Sequence, residues 1–267
     1  MTAPRSTSST SSTTSAARAA SPSVVRQARG AKNRRGFFVA LALVALAGLA
    51  IIASVVQRGA QSASAGPLTV PPAPPGAAAP VGYSMGRPDA PVEIVEYADF
   101  ECSVCGQYFA VTEPDVRKQL VEPGLARYTI YDVQVNAAHA NSPAASLAAS
   151  CAAEQGQFWP MHDRLYGGQD EWNSQVTNDP RPVFAGYAKQ LGLDMAKWNQ
   201  CYDSRRGLQH LAVNHAAAER LGPGFRGTPT FVIGDRVMQS AATFDAIKAM
   251  VDSARTRAGA TKPVASR

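Results

Sequence analysis

The first 58 residues contain no acidic side chain, against eight basic ones: Arg5, Arg18, Arg26, Arg29, Lys32, Arg34, Arg35 and Arg58. The rest of the chain holds the other 18 of 26 Lys and Arg residues against all 20 acids, a formal charge of −2. The net charge of +6 thus belongs to the N-terminal arm, and nucleic-acid binding by the folded part has no support. Cysteine is scarce too: four residues, all far from the N-terminus. Only one pair has close spacing, and His139, His162, His210 and His215 show no ligand spacing. A closed tetrahedral zinc site is therefore not spelled out, and no metal is expected. No internal repeat is visible. Residues 1–35 nearly lack large apolar side chains, so they cannot bury a core. They are expected to form a disordered cytoplasmic arm.

Beyond the arm the chain turns apolar. Phe37 to Val56 is a run of twenty uncharged residues. At ~1.5 Å per residue it spans the roughly 30 Å hydrocarbon core of a bilayer. Lys32, Arg34 and Arg35 stand just before it. By the positive-inside rule this predicts a single transmembrane helix over 36–57, with a cytoplasmic N-terminus and the rest outside. A cleaved signal peptide is the rival, because Ala63-Ser64-Ala65 has the small-residue pattern of a cleavage site. Its apolar segment, however, would usually be shorter. Arg34-Arg35-Gly36-Phe37 is also similar to a twin-arginine export signal. Residues 58–84 are rich in Pro, Ala and Gly and read as a spacer, extended at ~3.1 Å per residue where proline dominates, or else a plain flexible linker. Four cysteines beyond the membrane segment fit an oxidising compartment.

Residues 85–257 are long enough for one sizeable core, and 258–267 read as a flexible tail. Val92, Ile94 and Val95 predict a strand over Pro91–Tyr97. Phe109, Val116 and Leu120 predict a helix over Cys102–Leu120, and Tyr128, Ile130 and Tyr131 a second strand over Ala126–Val133. Strand, helix, strand at this spacing is a βαβ unit. Ser142-Pro143 predicts a helix start with Ser142 as N-cap. Further helices are expected at Phe158–Tyr166, Pro182–Leu191, Asp194–Asp203 and Arg206–Leu221, the last stopped by Gly222-Pro223. Thr230–Ile233 and Arg236–Met238 flank Gly234-Asp235 as a hairpin, and Phe244–Arg257 closes the domain as a helix. A minimal thioredoxin fold has one helix where this chain has about ninety residues. The fold class is therefore α/β, thioredoxin-like, with a helical domain inserted at about 138–222 and one N-terminal transmembrane helix ahead of it.

Cys102-Ser103-Val104-Cys105 falls where the first strand gives way to the first helix. Disulfide exchange needs a thiolate, and a helix N-terminus favours one through its unpaired N–H groups and its dipole. Cys102 is then the attacking sulfur and Cys105, one turn on, the resolving sulfur. A lone CxxC fits half a zinc site as well, but the second half is missing. Cys151 and Cys201 remain, and in an oxidising compartment two leftover cysteines usually pair. A structural disulfide is expected; a second redox relay is the rival, although Cys151 has no neighbouring charge to activate it. Gly227-Thr228-Pro229-Thr230 precedes the hairpin. A cis Thr228–Pro229 bond would turn the chain sharply and offer the backbone of Thr228 to an extended peptide; a trans proline opening an edge strand is the plain alternative, and trans is the commoner form.

Three separated stretches carry a family resemblance. Met85-Gly86-Arg87-Pro88-Asp89-Ala90-Pro91 through Asp99-Phe100-Glu101-Cys102 resembles the opening of the DsbA-like branch of the thioredoxin superfamily. Cys151-Ala152-Ala153-Glu154-Gln155-Gly156-Gln157-Phe158-Trp159, with Met161 and His162, resembles its helical insert, and Gly227-Thr228-Pro229-Thr230-Phe231 its cis-proline loop. The resemblance implies a cis-proline loop beside the CxxC, with Thr228 and Pro229 binding substrate. It implies dithiol–disulfide exchange without a cofactor, on secreted or periplasmic proteins with cysteines. It also implies Glu96, six residues before Cys102, as a buried acid that relays a proton to or from Cys105; a surface glutamate is the plain alternative. Ser103-Val104 departs from the Pro followed by His or an aromatic that many relatives have, so no histidine between the cysteines supports the thiolate.

The sequence thus reads as a membrane-anchored thiol–disulfide oxidoreductase that oxidises substrate dithiols and is reoxidised by a membrane-embedded quinone-linked partner. A reductase or isomerase of the same fold is the near alternative. A non-enzymatic anchored metal- or peptide-binding module is the distant one.

Overall fold

The computed structural model describes residues 30–63, 68–76, 79–240 and 242–260. Residues 1–29 of the arm and 261–267 of the tail lie outside the described residues. The chain divides into two compact units, ending and beginning at Ala60 and Gln61. Helix α1, Gly30–Ala63, contains the apolar run. Its segment Gly36–Ser54 has a mean hydropathy of 2.7 and is buried nowhere, so it is long and apolar enough to cross a membrane.

The second unit is built on a five-stranded sheet: β1 Tyr83–Met85, β2 Glu93–Ala98, β3 Arg127–Asp132, β4 Thr230–Ile233 and β5 Arg236–Gln239, in the order β1-β3-β2-β4-β5. β2 and β3 are parallel, with Glu93 opposite Arg127 and Ala98 opposite Asp132. All other pairings are antiparallel. Side chains alternate across a strand. Ile94, Tyr128, Phe231 and Ile233 therefore share one buried face, which packs on Val116, Leu120, Ile247 and Val251. Tyr97, Tyr131 and Val232 face the other way, toward Ala217 and Ala218. Position 96 in β2 falls on the face of Ile94. β1 overlaps the end of the stretch read as spacer, 58–84; three residues carry too short a pattern to register as a strand. β4 sits inside the sheet between β2 and β5, not on its edge.

The long helix expected over Cys102–Leu120 is broken. α2 runs Ser103–Val111, α3 Glu113–Val116, and a π-helical turn Arg117–Val121 follows. Pro114 explains the break, because it has no N–H to donate to Ala110 and its ring crowds that carbonyl. The insert comprises α4 Ser142–Ala153, α5 Phe158–Gly167, α6 Gln169–Trp172, α7 Arg181–Gln190, α8 Met195–Ser204 and α9 Leu208–Glu219. α10, Phe244–Ala260, then returns to the sheet. The N-cap of α4 is Asn141, not Ser142. The Asn141 side chain is drawn away to the carbonyls of Trp172 and Thr177, both at 2.8 Å, and the Ser142 hydroxyl is buried without a partner among the described residues. Asp194, by contrast, caps α8 through the N–H groups of Ala196 and Lys197. Short Ala and Ser side chains bury α4 along nearly its whole length.

The proline-rich stretch is docked where it is described. Leu68 packs against the insert core. Val70, Pro71 and Pro72 line a groove with Leu211 and His215 of α9, and Asn214 bonds the backbone of Val81 in both directions, at 2.8 and 3.0 Å. The apolar side chains among the prolines give it something to bury, which a spacer would lack.

Cys151 of α4 and Cys201 of α8 are joined in a disulfide, both buried, with Cα atoms 5.6 Å apart. It closes a separation of 50 residues, for which chain entropy gives ~4 kcal/mol. The double substitution Cys151→Ala/Cys201→Ala is expected to lower unfolding free energy by about that amount, and to leave the initial rate of thiol exchange near wild type. Denaturant titration and a stopped-flow exchange assay check both; a collapse in exchange with stability intact would make the pair a redox relay.

Candidate active site

Cys102 is the N-cap of α2, in extended backbone at φ −70° and ψ 119°, with no side-chain cap of its own. The first N–H groups of the helix are thus left facing the sulfur. Both sulfurs of the CxxC are free thiols, and they sit in the same buried cluster as Phe100, Leu147, Met161 and Leu165. The Cys102 thiol donates to the Thr228 carbonyl at 3.5 Å. The Thr228–Pro229 peptide bond is cis. Residues 102 and 228, 126 positions apart, are therefore in contact.

The two thiols differ sharply. Cys102 is held down to about 6, first by the hydrogen bond from Cys105. Partial burial opposes this; Thr228 and the N–H groups of Cys105 and Val104 reinforce it. The Thr228 hydroxyl has no other partner among the described residues, so it is available to the thiolate. Cys105 moves the other way. Burial pushes its thiol well above the ordinary range, and the hydrogen bond to Cys102 and the negative charge there add to this. At neutral pH the pair therefore carries one thiolate and one thiol.

Glu96 is buried, 2% exposed, on the face of β2 that packs beneath α2 and α3. Its carboxyl is raised well above the usual range, first by burial and then by the nearby charge of Glu113; a hydrogen bond from the Tyr128 hydroxyl works against this. Glu113 is buried as well, and Arg117 answers it from one turn on, Nε to Oε1 at 2.7 Å. The same guanidinium bonds both oxygens of Asp163, at 2.7 and 3.2 Å, and lies 5.2 Å from the Trp159 ring centre. Glu113, His162 and Asp163 bring ligand-type atoms within 4.8 Å of one another, a grouping that spacing does not reveal because Glu113 lies far off in sequence. Arg117 stands between the two carboxylates and neutralises them.

The structure brings together Cys102, Cys105, Thr228, Pro229 and Glu96. It places the Cys151–Cys201 bridge in the insert core and His210 and His215 on α9. Sequence reasoning missed Glu113, Arg117 and Tyr128. The i, i+4 spacing of Glu113 and Arg117 was the available signal; nothing local marked Tyr128.

A CxxC at a helix start, facing a cis-proline loop across a thioredoxin sheet with a helical insert, defines a DsbA-like thiol–disulfide oxidoreductase fold. The chain belongs to the thioredoxin family, whose model, described as Thioredoxin, matches residues 78–253. It is 38% identical over 173 residues to Na(+)/H(+) antiporter NhaA 3 of Salinispora tropica, across 64% of this chain and 24% of that one. The chain thus spans about a quarter of the length of that relative. It is 21% identical to disulfide bond formation protein D of Bacillus subtilis, across 63% of this chain and 74% of that one. Among solved structures it is similar to alpha-DsbA1 of Wolbachia pipientis, at a TM-score of 0.59 and 16% identity, covering 68% and 95% of the two chains.

Alkylation tests the asymmetry of the thiols. In the reduced protein, labelling of Cys102 should rise as pH climbs through about 6, because the thiolate is the reactive form. Cys105 should stay unlabelled until far more alkaline pH. Mass mapping of a labelling series from pH 4 to pH 9 checks this; equal labelling of both sulfurs would contradict it.

Proposed function

We propose that this protein is an extracytoplasmic dithiol oxidase, held at the membrane by α1 and acting through the Cys102–Cys105 disulfide. The observation that carries this reading is the low-lying Cys102 thiolate beside a Cys105 thiol that resists ionising. A substrate thiolate attacks Cys102 Sγ, and the Cys102–Cys105 bond breaks. Cys105 leaves with the electron pair and takes a proton. A second substrate thiolate attacks the substrate sulfur of the mixed disulfide and expels Cys102. Two electrons pass from the substrate, which leaves as a disulfide, to the CxxC, which is left reduced. A leaving thiol of low pKa is expelled fast and its reduced form is stabilised, so exchange runs toward substrate oxidation.

The backbone of Thr228 beside Pro229 is suited to hold an extended substrate segment in line with Cys102. Glu96 supplies and receives the proton of Cys105. Its burial raises its hold on a proton, which suits it to act as donor when Cys105 departs as a thiolate. A membrane-embedded quinone-linked enzyme would restore the disulfide. Residues 36–57 span the bilayer with the N-terminus cytoplasmic, in keeping with the basic flank. The relatives named as Na(+)/H(+) antiporters carry a similar segment within a longer chain, which supports work at a membrane surface.

The test is a reaction run both ways. Oxidised full-length protein in detergent should oxidise a reduced dithiol peptide stoichiometrically, while the reduced protein should reduce insulin only slowly. Fast insulin reduction with no peptide oxidation would favour the reductase alternative; neither activity would leave a binding module.

Glu96→Gln keeps a partner for Tyr128 but cannot carry the proton. It should slow exchange at pH 7 by on the order of a hundredfold, with Cys102 alkylation unaltered. Unchanged exchange would remove Glu96 from the reaction.

A further inference from the structure

The loop from β2 into α2 is held largely by the helical insert and the residues leading into it. Asp99 Oδ2 accepts from Nδ1 of His139 at 2.9 Å. The Glu101 carboxylate accepts from the N–H groups of Asn141 at 2.8 Å and Ser174 at 2.5 Å. Between these two clamps lies Gln169, the first residue of α6. Its Nε2 donates to two carbonyls at once, Phe100 at 2.7 Å and Cys102 at 3.1 Å.

The same side chain presses on the first turn of α2. A methyl group at Gly106 would stand 2.3 Å from Gln169 Oε1, well inside contact distance. The Cys102 carbonyl also accepts the first helical hydrogen bond, from Gly106 N at 3.0 Å. Gln169 thus shares an acceptor with that bond and fills the space a side chain at 106 would occupy. Cys102 has no side-chain cap, so its position depends on such backbone contacts.

We propose that Gln169 is a positioning residue for thiol exchange: it ties the helical insert to the Cys102 turn, and Gly106 is the space it requires. This rests on the reading of Cys102 as nucleophile. It gives the insert a mechanical part in the reaction, because a movement of α6 carries the Cys102 carbonyl with it and alters the approach of the sulfur to Thr228. Misplacing a reacting atom by about 1 Å is enough to cost on the order of a hundredfold in rate.

Four variants of the full-length protein in detergent test it: Gln169→Glu, Gln169→Ala, Gly106→Ala, and the double variant Gln169→Ala/Gly106→Ala. Each is read by thiolate absorbance against pH, by exchange rate with a dithiol peptide, and by melting temperature. Gln169→Glu keeps the length but turns an acceptor toward two carbonyls. It should raise the Cys102 titration midpoint by roughly one pH unit and slow exchange about tenfold. Gly106→Ala alone should slow exchange to a similar degree. In the double variant the added methyl has room, so the loss should not exceed that of Gln169→Ala alone. Should Gln169→Glu fail to fold, Gln169→Met, of equal length without a donor, should show the same loss of rate at a near-normal melting temperature. An unmoved midpoint with multiplicative losses, or loss of melting temperature alone, would overturn the proposal. Wild-type protein that exchanges with no peptide would sink the underlying reading instead.

Discussion

A sulfur anion at the start of α2 needs neutralising contacts, and the arrangement of the second unit follows from that need. Cys102 obtains them from the Cys105 thiol, the N–H groups of the first helical turn and Thr228. These come from two parts of the chain. The strand-to-helix junction supplies the N–H groups, because β2 ends where α2 begins. The cis Thr228–Pro229 turn approaches from the start of β4, which pairs with β2 and so lies beside the junction. The same geometry separates the two sulfurs in character. Cys102 is at the helix end, whereas Cys105 is one turn in, buried over Glu96.

Beneath the sulfurs lies a charged layer that an ordinary core would exclude. Glu96 and Glu113 are both buried, and the charge of Glu113 raises the cost of ionising Glu96. One positive group, Arg117, answers Glu113 and extends to Asp163 at the surface side. Two acids with one fixed cation leave Glu96 as the group that keeps its proton. Burial thus becomes a chemical property: a carboxyl whose proton affinity is raised well above the usual range is suited to lend a proton to a departing thiolate.

Local patterns made much of this legible. The β-branched run before Cys102, the CxxC at its end and the Gly-Thr-Pro-Thr before the hairpin each sit within a few residues of their structural cause. So does the capping of α8 by Asp194. What escaped depends on distant partners or on too few residues. β1 has three residues and is a strand only because β3 lies beside it. Asn141 holds the cap position of α4 without capping it, because Trp172 and Thr177 draw its side chain to carbonyls thirty or so residues away. The break at Pro114 was written in the sequence, yet the apolar period ran across it. Thr228 and Pro229 were marked by resemblance, whereas Gln169 and Tyr128 carried no local mark at all.

The reduction potential of the Cys102–Cys105 pair tests the central claim most directly. Equilibration of the full-length protein in glutathione redox buffers, followed by counting free thiols at each ratio, gives it. A thiolate stabilised at Cys102 favours the dithiol form, so the potential should lie well above that of thioredoxin, nearer to about −120 mV than to about −270 mV. A value at or below about −270 mV would show that the disulfide is the favoured state, and the reading of this protein as a dithiol oxidase would fail.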